Sequence, residues 1–197
     1  MRRLIFASNN RHKLEEVRAA LEGAVEVVSL AEAGLSGEIP ETAETLEGNA
    51  LQKAEWVWSR VCSEEVDGVF ADDTGLEVEA LGGAPGVYSA RYAGEHCSFD
   101  DNIDKLLAAL EGENNRRACF RTVICLIENG EPRYFEGRVD GQILTERHSN
   151  GEGFCYDPVF MPDRFAVSFA EMPLEVKNRI SHRGLAVEML EKYLKES

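Results

Sequence analysis

The chain has 197 residues and carries 36 acidic against 21 basic side chains, a formal net charge of −15. That length supports one large domain with a full core, and that charge excludes an extended nucleic-acid surface, which needs a basic stripe. It does not exclude a phosphorylated small molecule, provided a few lysines and a metal ion are focused in one place. Five cysteines (Cys62, Cys97, Cys119, Cys125, Cys155) show no C-x-x-C spacing, which argues against a zinc knuckle or a disulfide framework and for reduced thiols. No segment reaches the ~20 apolar residues of a membrane span, and Leu4–Ala7 is too short for a signal peptide. The expectation is a cytoplasmic protein with no nucleic-acid and no membrane partner.

In chain order, Leu4 to Ala7 reads as a strand covered on both faces. It runs into Ser8-Asn9-Asn10-Arg11-His12-Lys13 and then a helix with Leu14, Val17 and Leu21 on one face, closed by Gly23. A strand, polar turn and helix in that order aim backbone amides at whatever lies above the strand. Ser8, Asn10 and Lys13 put a hydroxyl, an amide and a cation there; the same residues also suit a plain N-cap with a solvated lysine. Val25–Ser29 reads as a second strand. Residues 31–48 read as a loop carrying Glu38, Glu41, Glu44 and Glu47, and loops of that length are often functional. Asn49 then opens a helix with Ala50, Ala54, Trp58 and Val61 along one stripe. Lys53 near its start is unfavourable for the helix dipole, which points to an anionic partner.

Val69-Phe70-Ala71-Asp72-Asp73-Thr74-Gly75-Leu76 brings two adjacent carboxylates out of a buried strand. A hydroxyl and a glycine turn the chain into a second alternating strand, and Gly82-Gly83-Ala84-Pro85-Gly86 lets backbone approach a ligand closely. Such a pair suits a divalent cation beside a phosphate, although Asx residues also shape turns without any ligand. Ser98 and Asp101 form an acidic capping box before a helix that buries Ile103, Leu106, Leu107 and Leu110. Residues 116–128 and 134–144 flank Asn129-Gly130, a strong hairpin signal, with Gly137 and Gly141 marking bulges or bends. The aromatics in Phe154-Cys155-Tyr156-Asp157-Pro158 suit either a base-binding wall or a core turn. Pro173 starts a short helix holding Lys177. Ser181 caps a last amphipathic helix with Leu185, Met189, Leu190 and Tyr193 facing inward, and with His182 and Arg183 at its N-terminus.

Six of these pieces in this order resemble the inosine triphosphate pyrophosphatase family. They are residues 8–13, Asn49-Ala50-Leu51-Gln52-Lys53-Ala54, residues 71–76, residues 81–91, residues 153–158 and Lys177-Asn178-Arg179-Ile180-Ser181-His182-Arg183. The resemblance implies hydrolysis of ITP, dITP and XTP to the monophosphate and pyrophosphate, magnesium dependence and a homodimer. It implies an α/β fold with a mixed central β-sheet flanked by helices, in two lobes with a cleft between them. Residues 1–197 form a single domain in this reading, with a β-rich lobe at about 116–148.

Carried over, Asp73 matches a metal ligand and base, and Glu41 the second metal ligand, with Glu44 one step away. Ser8, Asn10, Lys13, Lys53 and Thr74 match phosphate and sugar contacts, with Asn9, Arg11 and His12 in the same turn. Phe154, Tyr156, Asp157, Lys177, His182 and Arg183 match nucleoside and base contacts, with Cys155 where glycine is common and Ser8 where threonine is common. In this scheme Glu41 and Asp73 hold magnesium, Asp73 or Asp72 orients water, and Lys13 and Lys53 neutralise the phosphates. His182 and Arg183 donate to the 6-carbonyl of the purine while an aromatic stacks on it, and all of these residues line one slot. Two other classes fit fragments of the chain. Asp73-Thr74-Gly75 is the core triplet of an aspartic peptidase, and a nucleotide-binding regulator would need the same contacts without turnover.

Overall fold

A computed structural model of the chain describes residues 1–61, 66–149 and 155–196. Among the described residues, seven strands form one sheet in the order β2-β1-β3-β5-β6-β7, with β4 paired to β3. The strands are β1 (Arg2–Phe6), β2 (Val25–Val28), β3 (Gly68–Val78), β4 (Pro85–Gly86), β5 (Arg117–Glu128), β6 (Glu131–Ile143) and β7 (Phe160–Pro162). The helices are α1 (Arg11–Ala20), α2 (Leu46–Trp58), α3 (Phe99–Ala109), α4 (Leu174–Ile180) and α5 (His182–Glu196). β1 pairs in parallel with both β2 and β3, while β3–β4 and β6–β7 are antiparallel, so the sheet is mixed as expected.

The chain divides into two compact units. The first comprises Met1–Asp73, Thr122–Gly137 and Gly184–Ser197; the second comprises Thr74–Arg121 and Arg138–Arg183. In the first, Leu4, Phe6, Phe70, Ile124 and Leu126 pack with Val17 of α1, its C-cap Leu21, and Ala186, Val187, Leu190 and Leu194 of α5. Phe6 and Phe70 stack with centroids 4.9 Å apart. Aromatic pairs of that kind add about 0.5–1.5 kcal/mol beyond burial. In the second, Leu76, Val78, Ile103, Leu106, Phe120, Tyr156, Phe160 and Phe169 form the core.

Several local expectations hold. Asn10 caps α1 by accepting from the Lys13 amide, and Ser98 and Asp101 make both bonds of the capping box. Asn129 (φ 52°) and Gly130 (φ 81°) both sit in the left-handed region that a tight two-residue hairpin requires.

Four expectations need correction. β3 runs unbroken through Asp72-Asp73-Thr74-Gly75, so the acids stand inside a strand and no turn follows them. α2 starts at Leu46, capped by Thr45, whose hydroxyl accepts from the Gly48 amide; Lys53 therefore lies two turns in, beyond the reach of the N-terminal dipole. On α5 Leu190 is buried and Tyr193 packs against the core as expected, together with Ala186, Val187 and Leu194, whereas Met189 is exposed. Gly141 owes its place to close approach rather than to a turn of the chain: it lies in register with Pro162 of β7, and a Cβ there would collide with the Met161 carbonyl.

Candidate active site

In the first unit, β1 ends at Phe6 and the chain leaves it through Ser8-Asn9-Asn10 into α1. Ser8 Oγ accepts from the Asn10 amide at 3.2 Å, and Asn9 Nδ2 donates to the Gly37 carbonyl at 3.3 Å. The Asn10 cap leaves Lys13 one turn into α1, where its ammonium meets Asp72 at 3.0 Å from Oδ1 and 2.8 Å from Oδ2. Parallel pairing of β1 with β3, Phe6 opposite Phe70, sets the start of α1 beside Asp72. Arg11 and His12 are exposed, and Arg11 pairs with Glu15 at 2.9 Å.

Asp73 is held from α2. Its Oδ2 accepts from Asn49 Nδ2 at 3.0 Å and its Oδ1 lies 3.3 Å from Lys53 Nζ, and Lys53 also pairs with Glu41. Two carboxylates from distant parts of the chain therefore converge on one ammonium, while Asp72 sits on another. Burial alone would push the Lys53 ammonium down, but attraction from Asp73, Asp72 and Glu41 outweighs it and holds the lysine above its ordinary value. Burial pushes the Asp73 carboxyl up; Lys53 and Asn49 pull the other way, and the negative charge of Glu41 adds to the rise.

Glu41 and Asp73 are the residues that could hold a hard divalent cation. Both offer oxygen donors, and the point where they meet is already occupied by positive charge. Magnesium sites commonly use one or two carboxylates, leaving the remaining positions to water and phosphate oxygens. Among the described residues, no three His, Cys, Asp or Glu side chains gather as a metal-holding group. The two-carboxylate arrangement does not need a third. Glu41 and Glu44 are both exposed, and the Lys53 contact falls on Glu41.

In the second unit, His182 opens α5 and is buried, its ring stacked on Phe120 at 4.6 Å and 13°. Asp157 is buried and pairs with Lys177 at 2.5 Å. Thr74, the first residue of this unit, is half-buried on β3. Tyr156 corrects an expectation: it is fully buried, with its hydroxyl donating to the Ser89 carbonyl at 2.8 Å, so its ring belongs to the core and offers no face to a purine. Ser89 in turn accepts from the Leu76 amide at 2.9 Å and donates to the Gly86 carbonyl at 2.6 Å. Cys155 has φ 55°, the left-handed region that glycine adopts most easily, and burial pushes its thiol up to about 12. Phe154, the other stacking candidate, lies outside the described residues.

Sequence reasoning passed over Asn49 and Gln52 as functional side chains. The signal was available in their spacing: 49, 52 and 53 share one helical face. All three reach the loop before α2. Asn49 Oδ1 accepts from the Ala43 amide at 2.9 Å. Gln52 Oε1 accepts from the Thr42 amide at 2.8 Å, and its Nε2 donates to Thr42 Oγ1 at 2.8 Å.

A mixed sheet whose strand β3 carries two adjacent acids, paired with Lys13 from α1 and Lys53 from α2, defines an α/β protein with a charged cluster that could take an anionic ligand together with a cation. The chain belongs to the Ham1 family, whose family model matches residues 4–193. It is 56% identical over 198 residues to a dITP/XTP pyrophosphatase of Porphyromonas gingivalis, with 98% of each chain covered. Among solved structures, a HAM1 protein from Coxiella burnetii superposes with a TM-score of 0.90 at 35% identity, covering 100% of both chains. The Staphylococcus aureus Ham1 protein gives 0.88 at 36% identity, covering 99% of both.

Proposed function

We propose that this chain hydrolyses dITP, XTP and ITP to the nucleoside monophosphate and pyrophosphate, removing non-canonical purines from the nucleotide pool. The observation that carries the reading is the convergence of Glu41 and Asp73 on Lys53 beside the Lys13–Asp72 pair. The names borne by its relatives support the same substrate class.

Glu41 and Asp73 would hold magnesium, and the chemistry supplied there is withdrawal of charge from phosphoryl oxygens. Lys13 and Lys53 neutralise the triphosphate and the leaving pyrophosphate, because each ammonium already lies among the acids at that place. Asp72 or Asp73 orients the attacking water by accepting its proton in a hydrogen bond. Ser8 and Asn10 shape the turn that presents backbone to a phosphate, with Asn9, Arg11 and His12 beside it, and Thr74 contacts the sugar or phosphate.

For the base, His182 and Arg183 donate to the 6-carbonyl of hypoxanthine or xanthine. The Phe120 stack fixes the plane of the His182 ring and so the direction in which it donates. An adenine amino group in the same position would leave those donors unpaired, at a cost of about 1–3 kcal/mol each. Phe154 stacks on the purine, and Cys155, Asp157 and Lys177 complete the nucleoside contacts. The aspartic peptidase alternative has no support: Asp73 is bonded to an amide and an ammonium, Asn49 and Lys53, and does not share a proton with a second aspartate. The enzyme acts in the cytoplasm as a homodimer in this proposal; no helix among the described residues is long and apolar enough to cross a membrane.

The test is a panel of dITP, ITP and XTP against ATP, GTP, CTP and UTP, with magnesium and with a chelator, measuring pyrophosphate release. Release confined to the first three and abolished by chelation supports the reading. Equal release from all seven, or no release from any, overturns it.

A further inference from the structure

We infer that Asn49, assisted by Gln52, is a positioning residue that joins the two carboxylates of the candidate cation site into one preorganised unit. The inference rests on the proposed use of Glu41 and Asp73 to hold a divalent cation. Glu41 lies on the loop before α2 and Asp73 on β3, so nothing in the covalent chain fixes the distance between them.

The Asn49 amide spans that gap. Its Nδ2 donates to Asp73 Oδ2 at 3.0 Å, and its Oδ1 accepts from the Ala43 amide at 2.9 Å, two residues from Glu41. Asn49 is only 1% exposed, so neither half of its amide can exchange these partners for bulk water. The bond to Oδ2 also fixes which oxygen of Asp73 is presented: Oδ1 is the one turned toward Lys53. One turn further along α2, Gln52 closes a two-bond ring on Thr42, holding the residue next to Glu41 at both its amide and its hydroxyl. Asparagine is suited to this because it offers a donor and an acceptor on one short, uncharged, planar group. An aspartate there would face Asp73 with like charge and would have no N–H to donate.

Groups that orient the ligands of a metal typically change metal affinity or activity tenfold to a hundredfold when removed. The two variants for the full chain are Asn49→Ala and Gln52→Ala. Manganese binding to the nucleotide-free protein is measured by calorimetry. Magnesium dependence of dITP hydrolysis, nucleotide KM at saturating magnesium, and thermal denaturation without metal complete the set. Asn49→Ala is expected to weaken manganese binding and to raise the half-saturating magnesium concentration by about tenfold to a hundredfold, with nucleotide KM at saturating magnesium within twofold of the parent. Gln52→Ala, which removes both bonds to Thr42, is expected to weaken manganese binding about threefold, less than the two bonds' combined worth because they hold the neighbour of Glu41 and not the ligand itself, with a melting temperature only a few degrees below the parent.

Manganese affinity within twofold of the parent in Asn49→Ala overturns the inference, as does a parent that binds no manganese. Should Asn49→Ala fail to fold, Gln52→Ala decides, and parental manganese affinity there overturns the inference. A parent that binds manganese without hydrolysing any nucleotide sinks the proposed activity; loss of manganese binding in the variants would still uphold the positioning role.

Discussion

Replacing Lys53 by methionine keeps the aliphatic stem and removes the charge on which Glu41 and Asp73 converge. The Lys53 side chain is 7% exposed and that of Asp73 13%, so water screens the pair poorly. At 3.3 Å, with an effective dielectric of about 20, the gross attraction is about 5 kcal/mol. Measured losses from removing one partner of a buried pair run at about 3–5 kcal/mol, because the remaining charge is left uncompensated. For a chain of this size each kcal/mol moves the melting temperature by about 2–4 °C, so Lys53→Met should melt about 6–20 °C below the parent at neutral pH.

The pH dependence separates charge from packing. Burial already pushes the Asp73 carboxyl up, and loss of Lys53 removes the strongest pull in the other direction. Acidification therefore neutralises Asp73 in the variant first and narrows the gap. At the alkaline end, the raised Lys53 contributes stability that is complete below the ordinary lysine value of 10.5 and fades as pH rises through its folded value, so the gap narrows there too. Urea denaturation of both proteins from about pH 5 to about pH 11.5, past the ordinary lysine value, tests this reasoning. A difference that stays constant across the range would refute it and assign the loss to the missing volume alone.

Two further outcomes are expected. Hydrogen bonds from the Ser29 amide and hydroxyl, with help from Arg18, hold Glu32 down at about 2. Asp101 and Glu171 are lowered by their Ser98 and Ser168 caps, and Asp163 by Arg117. Stability from these groups is full above their ordinary carboxylate values and is lost as pH falls through the folded ones. The urea midpoint should therefore fall between about pH 4.5 and 2, and a midpoint that rose in that window would contradict the sign. His182→Ala and Arg183→Ala should lose discrimination between ITP and ATP more than total hydrolysis, read as the ratio of kcat/KM values; equal losses on both nucleotides would remove the two residues from base recognition.

What could be read from residues alone was whatever local chemistry decides. The Asn10 cap, the Ser98–Asp101 box and the Asn129-Gly130 hairpin all depend on neighbours within a few positions. Asp72-Asp73-Thr74-Gly75 misled because its composition is that of a turn. The strand tolerates two acids only because Lys13, Lys53 and Asn49 arrive from 20 or more residues away to satisfy them. Lys53 draws notice in the sequence for a dipole it does not feel, since Thr45 caps α2 earlier; its place beside Glu41 and Asp73 comes instead from the face it shares with Asn49 and Gln52. Tyr156 illustrates the converse error: an aromatic beside a glycine-rich turn fits a ligand wall, but the Ser89 carbonyl supplies a buried partner for its hydroxyl and the ring stays in the core.

A triphosphate approaching a chain of net charge −15 meets repulsion on average, so recognition depends on how charge is distributed locally. At the candidate site three carboxylates, Glu41, Asp72 and Asp73, are set against two ammoniums, Lys13 and Lys53, leaving one negative charge in excess. That excess favours a divalent cation over a bare phosphate. A divalent cation held there would reverse the local sign to one positive charge and share with the lysines the neutralisation of the acids. On the proposed reading, the same side chains would repel an anion that arrives alone and accept one that arrives with its metal, making cation binding a condition of substrate binding. Neutralising one carboxylate, as in Glu41→Gln, would weaken the cation's hold and lessen the repulsion of metal-free nucleotide together, two effects that a lysine-only phosphate site would not link.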